Sequence, residues 1–281
     1  MRLTDPMHPR VSSEDVWGLS SLAGPSSEGS SRALLRRVLI WEILIVLALS
    51  LGKSGVYAVV NLLDKATRAP LGSQTTSLNN SLNSREIFDL TYQILDIFFT
   101  LVPVVLVLFL LFMSLRVSPF RLLGFDFAHW KLDLLWGFLL FLTMGLGTLG
   151  VYAAGRALGV TTAIVPSALD EYWWTVPVLL LSAGRHAVLE EVVIVGWFFD
   201  RLRRLAWGPV AVILVSALVR GSYHLYQGIG PFVGNFAMGL VFGAFYLKYR
   251  RVMPLVYAHF LLDAVGFVGF ALLGPAIGFG T

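Results

Sequence analysis

The chain divides into a polar start and a succession of long apolar runs. Residues 1–31 are rich in Ser, Gly and Pro and hold no apolar run longer than two residues. They read as a flexible polar arm. They do not read as a secretory signal, because no apolar core closely follows the basic start. From residue 32 onward, apolar segments recur near Leu34–Leu63, Ile87–Leu115, Leu132–Leu158, Val176–Phe199, Pro209–Tyr226, Phe232–Leu247 and Pro254–Leu273. Most reach the roughly 20 residues that a helix needs to cross about 30 Å of hydrocarbon. The fifth and sixth are short and adjoin the Gly-rich turn Gln227-Gly228-Ile229-Gly230-Pro231. Long alternating strands are absent, which argues against a β-barrel. Backbone groups in lipid must be satisfied within their own segment, which leaves helices. The pattern predicts an all-α, polytopic membrane bundle of about seven transmembrane helices over residues 32–281. It shows no internal repeat and no second soluble domain.

Composition agrees. Of 281 residues, 57% are hydrophobic and 14% are charged, against roughly 25% charged in soluble domains. Soluble enzyme folds and disorder of most of the chain are both excluded on this ground. There is no cysteine, hence no disulfide framework, thiolate nucleophile or Cys-based metal site.

The pI of about 9.5 raises the question of nucleic acid, but the placement of the basic residues answers it differently. Arg32, Arg36 and Arg37 precede the first span, and Arg116, Arg121 and Lys131 follow the second. Arg201, Arg203 and Arg204 follow the fourth, and Lys248, Arg250 and Arg251 the sixth. The alternate connections carry only Lys65, Arg68, Arg85 and Arg156. The positive-inside rule then places the N-terminus in the cytosol and the C-terminus outside, in seven crossings. No nucleic-acid partner is expected. Trp130, Trp136, Trp173, Trp174 and Trp207 lie near span ends, as an interfacial belt would. Gly239 and Gly243 form a GxxxG face, and Gly145, Gly147, Gly150, Ala153 and Ala154 a small-residue stripe. Both are expected to pack against neighbouring helices.

Ionisable residues at membrane depth are costly and mark candidate sites. Glu42, Lys53, Asp89 and Asp96 are explained by structural pairing or an interfacial position. The fourth span is different, with Arg185-His186-Ala187-Val188-Leu189-Glu190-Glu191. Its adjacent carboxylates point about 100° apart on a helix, so one can face a cavity while the other reaches a neighbour. His186 and Glu190 are i, i+4 and can touch. The fifth span ends Arg220-Gly221-Ser222-Tyr223-His224, and the seventh holds His259 and Asp263, also i, i+4. A buried Glu can act as general base, and histidines can orient water or donate to an oxyanion. Asp263 can fix the ring of His259. A buried polar network that only holds helices together is the competing structural reading. HExxH, Gly-x-Ser-Gly and Tyr-Asp with Gly-x-Gly-Asp are all missing, which removes the familiar zinc, serine and aspartyl intramembrane mechanisms.

These residues resemble the CPBP (Abi) family, which contains the type II CAAX prenyl proteases and bacteriocin-processing or self-immunity proteins. The resemblance covers about residues 170–270, a CPBP-like core. It lies in Glu190-Glu191-Val-Val-Ile-Val-Gly196-Trp197, then His224, then His259-x-x-x-Asp263. It implies a glutamate-dependent intramembrane endopeptidase in which Glu190 activates a water with help from His224. It further implies that His259 and Asp263 stabilise the oxyanion and that Glu191 supports Glu190 or a neighbouring helix. The implied partners are membrane lipid and a peptide or membrane-protein substrate; the implied location is the plasma membrane of a bacterium. Two departures stand out. Val195 occupies the usual Arg position, and Arg220 stands where Phe precedes the middle His. Arg220 shares a helix face with His224 and is expected to replace the missing cation beside Glu191 or Glu190, with His186 as a further support.

Other readings of the same residues stand beside this one. A non-catalytic member could serve as a membrane scaffold or immunity factor, and Val195 favours it. A proton-coupled transporter could use Glu190 and the histidines as a relay. No cofactor is expected. A metal-dependent version would use a divalent ion on Glu190, His224 and His259. Depth adds a constraint. Glu190 lies about 16 Å along its helix from Arg201, and His224 about 22 Å from Pro209. A tilt, or a break at Gly221, must bring His224 to Glu190, and the site would then open toward the cytosolic half.

Overall fold

The computed structural model describes residues 28–273. Up to position 27 the expected polar arm lies outside the described residues; its last positions, 28–31, already belong to helix α1 (Glu28–Leu49). α2 (Leu51–Arg68) follows a 55° bend at Ser50, so the first apolar segment is one broken rod. α3 (Glu86–Thr100) and α4 (Val102–Leu115) together make the second, with Pro103 at the start of α4, where its missing N–H costs no intrahelical bond. After the short α5 (Pro119–Leu123) comes α6 (Trp130–Ala157), the longest helix. α7 (Thr175–Glu190) passes without interruption through a π-helical segment, Glu191–Trp197, into α8 (Phe198–Arg204). α9 (Pro209–Ser222), α10 (Ile229–Tyr249) and α11 (Met253–Leu273) complete the bundle.

Each expected apolar segment is thus helical, and the chain is a polytopic helical bundle integral to a membrane. The expected seven crossings exceed what helix length supports. Among the described residues, four helical segments, with α3–α4 taken as one, are long and apolar enough to span, or five if the bent α1–α2 pair is one span. α9, at 14 residues, is shorter than a full crossing. The α7–π–α8 rod carries too many charges to face lipid and is instead the centre of the fold. Residues 189–202 are all buried, among them Val192, Val193, Ile194, Trp197 and Phe199 in the main hydrophobic core.

Around this rod α11 packs on α6 and α7, and α10 on α9 and α6. The GxxxG face serves the α9–α10 contact. A Cβ on Gly239 would lie 2.7 Å from Ala217 Cα, and one on Gly243 3.0 Å from the Phe199 ring. The stripe on α6 behaves otherwise. A Cβ added to Gly147 or Gly150 would meet nothing within 4 Å, and one on Gly145 would do no more than touch Leu262 and Phe141. α6 instead approaches α11 closely at Gly137, beside Pro254 and Tyr257.

One end of the bundle is closed by a small polar cap. β1 (Thr75–Ser77) pairs in parallel with β2 (Ala163–Val165), and Thr161 bridges to Gly228. Lys65 Nζ donates to Thr76 Oγ1 (2.5 Å) and the Tyr226 carbonyl (2.9 Å). Gly228 has φ 110°, a conformation that a side chain would strain, and a Cβ there would meet Thr161 Cα at 2.8 Å. At the other end, Val252 and Met253 donate backbone bonds to Leu123 and Gly124. Arg251 binds Asp126 and Asp133 there.

A second buried ion network sits beside the rod. Arg201, counted in the sequence as a connection charge, is fully buried. It donates to Glu42 (2.7 Å), Asp200 (2.7 Å) and Ser114 (3.2 Å), and Trp197 Nε1 also donates to Glu42. Glu42 is therefore a structural partner. Trp174, expected in the interfacial belt, is buried, whereas Trp173 is exposed.

Candidate active site

Three separate elements bring the site together. α7 delivers Glu190 as its last residue, and Glu191 opens the π segment. A π turn holds one extra residue per hydrogen-bonded loop, and such turns recur at functional sites because they re-aim side chains within a continuous helix. α9 contributes Arg220 from its last turn. The chain then leaves the helix, so that Tyr223 and His224 lie in the non-helical step before a short 3-10 turn, Leu225–Gln227. The expected break thus falls after Ser222, one residue beyond Gly221. Gly221 itself is where Phe232 crosses, 2.9 Å from the position of a Cβ. α11 contributes His259 and Asp263.

Arg220 is the hub. It is fully buried, and its Nη2 lies 2.7 Å from both oxygens of Glu191, while Nη1 is 3.4 Å from Glu190 Oε2. The guanidinium also faces the ring of Phe242 at 5.6 Å. Gly239 makes room for it, since a Cβ there would touch Arg220 Cδ at 3.4 Å. Val195, at the family's Arg position, is buried in the main core. The cation thus comes from α9 rather than from the rod that carries the carboxylates.

Glu190 Oε2 accepts a hydrogen bond from Tyr223 Oη at 2.7 Å and lies 4.0 Å from His224 Nε2. Both ring nitrogens of His224 are buried and have no partner among the described residues. Glu191 Oε1 meets His259 Nδ1 at 2.7 Å, so His259 is tied to the supporting carboxylate. Asp263 Oδ2 stands 3.6 Å from His259 Nε2 and 3.4 Å from His186 Nδ1. His186 does not reach Glu190, its i, i+4 neighbour; it turns to Asp263 on α11.

The expected metal set also changes. The ligand atoms that come within 4.8 Å of one another belong to Glu190, Glu191 and His259, not to a group that includes His224. Arg220 already places a fixed positive charge on both carboxylates of that trio. The donor set therefore fits a guanidinium better than a divalent ion.

Tyr223 is a contact that residue spacing did not single out. Its only sequence signal is adjacency to His224, and on an unbroken helix adjacent residues diverge by about 100°. The break after Ser222 lets both face Glu190, with their rings 4.9 Å apart.

No curated protein and no solved structure matches the chain. Over residues 172–265, which run from just before α7 into α11 and hold Glu190, Glu191, Arg220, His224, His259 and Asp263, the chain matches the type II CAAX prenyl endopeptidase Rce1-like family, a family of proteases.

Proposed function

We propose that this protein is an intramembrane endopeptidase that cleaves a peptide bond at the membrane by a glutamate-activated water. The observation that carries the proposal is the Arg220 bridge. It supplies the counter-charge that Val195 cannot, and it does so while leaving Glu190 beside His224.

The contacts of Glu190 with Tyr223, Arg220 and His224 all fall on Oε2. Oε1 is the oxygen that takes the proton of the attacking water. A water held between Glu190 and the unpartnered nitrogens of His224 is positioned for attack on a peptide carbonyl. Glu190 then returns the proton to the leaving amine. His259 Nδ1 is committed to Glu191, so Nε2, with Asp263 Oδ2 3.6 Å to its side, is the nitrogen left to serve the developing oxyanion. Arg220 and Glu191 hold this arrangement without touching substrate. The substrate class is a peptide at the lipid boundary, and the family match supports a prenylated one. The basic connections support a cytosolic N-terminus.

Full-length protein in detergent, incubated with prenylated and unprenylated reporter peptides and followed by mass spectrometry, tests the proposal. Cleavage at a defined bond that survives a chelator is expected. Cleavage abolished by chelator and restored by zinc would transfer the chemistry to a metal. A folded protein that cuts neither peptide supports the scaffold reading that Val195 favours.

A further inference from the structure

A chain of polar side chains leads out of the site to the bundle surface. Asp96 on α3 is half exposed and pairs with Arg185 Nη1 on α7. Arg185 Nη2 lies 2.8 Å from His186 Nε2, and also donates to Ser182 Oγ (3.3 Å). His186 Nδ1 faces Asp263 Oδ2 at 3.4 Å, and the same oxygen faces His259 Nε2 at 3.6 Å. The chain joins α3, α7 and α11, and the mechanism above uses neither Asp96 nor Arg185.

The chemistry of the donors gives it a direction. A guanidinium has only N–H groups and cannot accept a hydrogen bond. His186 Nε2, placed against Arg185, must therefore be the acceptor. The ring proton is left on Nδ1, the nitrogen that stands 3.4 Å from Asp263 Oδ2. Asp263 Oδ2 thus lies between the two rings, 3.4 Å from His186 Nδ1 and 3.6 Å from His259 Nε2, so the proton placed on Nδ1 of His186 acts on the carboxylate that borders His259. We propose that Arg185, held by Asp96, is a positioning residue: it sets the tautomer of His186 and, through Asp263, the orientation of His259. Only the kinetic part of its test rests on the endopeptidase reading.

Nitrogen-15 NMR of the full chain labelled at its five histidines reads the tautomer directly, with His186→Asn and His259→Asn assigning the signals. The wild-type His186 ring is expected to carry its proton on Nδ1, with Nε2 bare. Arg185→Met removes the donors; it should shift the proton toward Nε2 and move the His259 resonances as well. Arg185→Lys, which still donates, should restore both. A wild-type His186 protonated on Nε2, or His259 signals indifferent to Arg185→Met, overturns the proposal whether or not any peptide is cut. In the cleavage assay Arg185→Met should lower kcat by about 10-fold with KM little changed, the loss typical of removing a group that orients a working histidine. Unchanged kcat despite a shifted tautomer would sever the link to His259. A wild-type protein that cuts nothing would fail the endopeptidase reading while leaving the tautomer result to stand or fall by itself.

Discussion

At the scale of single residues, the site turns on one buried cation between two buried carboxylates. Breaking such a network by removing one partner is far more costly than an exposed ion pair, because the remaining charge is stranded out of water. Arg220→Leu should therefore destabilise the protein by about 3–5 kcal/mol, visible as a large fall in melting temperature in detergent. Arg220→Lys should recover part of this. An ammonium keeps the charge but cannot chelate both oxygens of Glu191 and reach Glu190 at once. If Arg220→Leu melts like the parent, the bridge is not what holds α9 to the rod. Arg220 was legible because it stands four residues before His224, close enough in the chain to reach the same carboxylates even though the helix ends at Ser222. Tyr223 was not, since its approach to Glu190 depends on a helix break that spacing does not reveal. His186 misled for a related reason. Its i, i+4 relation to Glu190 is real, but Arg185 and Asp263 draw the ring elsewhere.

Among elements, the π segment and the α9–α10 crossing do the placing. The length of its apolar run located the rod, yet nothing in Glu191–Trp197 announces a π turn, because its residues are buried all round and carry no face to read. Gly239 shows how closely packing and chemistry are joined: it admits both Ala217 and the stem of Arg220. Gly239→Val should push α10 off α9 and cost about 1–3 kcal/mol, and should lower activity more than a substitution at Gly150, which faces open space. Equal effects at the two glycines would contradict this.

The connection before α6 carries a pH-sensitive tie. Burial raises the pKa of Asp126, but the hydrogen bonds from Arg251 and the Ala128 N–H outweigh it and hold the carboxyl below its usual range. A carboxyl lowered by folding adds stability above its unfolded value, and this is lost as pH falls through the folded one. The protection factor of the Ala128 amide, its exchange corrected for the intrinsic rate at each pH, should therefore fall on acidification below about pH 4. In Asp126→Asn it should not depend on pH in that window.

Over the whole molecule, the loops sort into two groups. The connections of 69–85, 158–174 and 223–230 meet in the β1–β2 cap, and those of 116–129 and 250–252 meet around Arg251. The charge pattern expects these two groups to lie on opposite sides of the membrane. Arg201, which that pattern counts as a connection charge, is buried in an ion network, so Arg203 and Arg204 alone mark its connection. The number of spans was less legible. Apolar length alone does not distinguish a lipid-facing helix from the buried rod or the short α9. Reporter fusions after Arg204 and Arg251 should read cytosolic, and one after Gly230 extracytosolic; the reverse would invert the molecule. The central claim is chemical, and one substitution addresses it most directly. Glu190→Gln keeps the size and shape of the side chain and removes its ability to take a proton. Measured on full-length protein in detergent that melts like the wild type, cleavage of the reporter peptide should fall at least about 100-fold. Cleavage at the wild-type rate would contradict a glutamate mechanism.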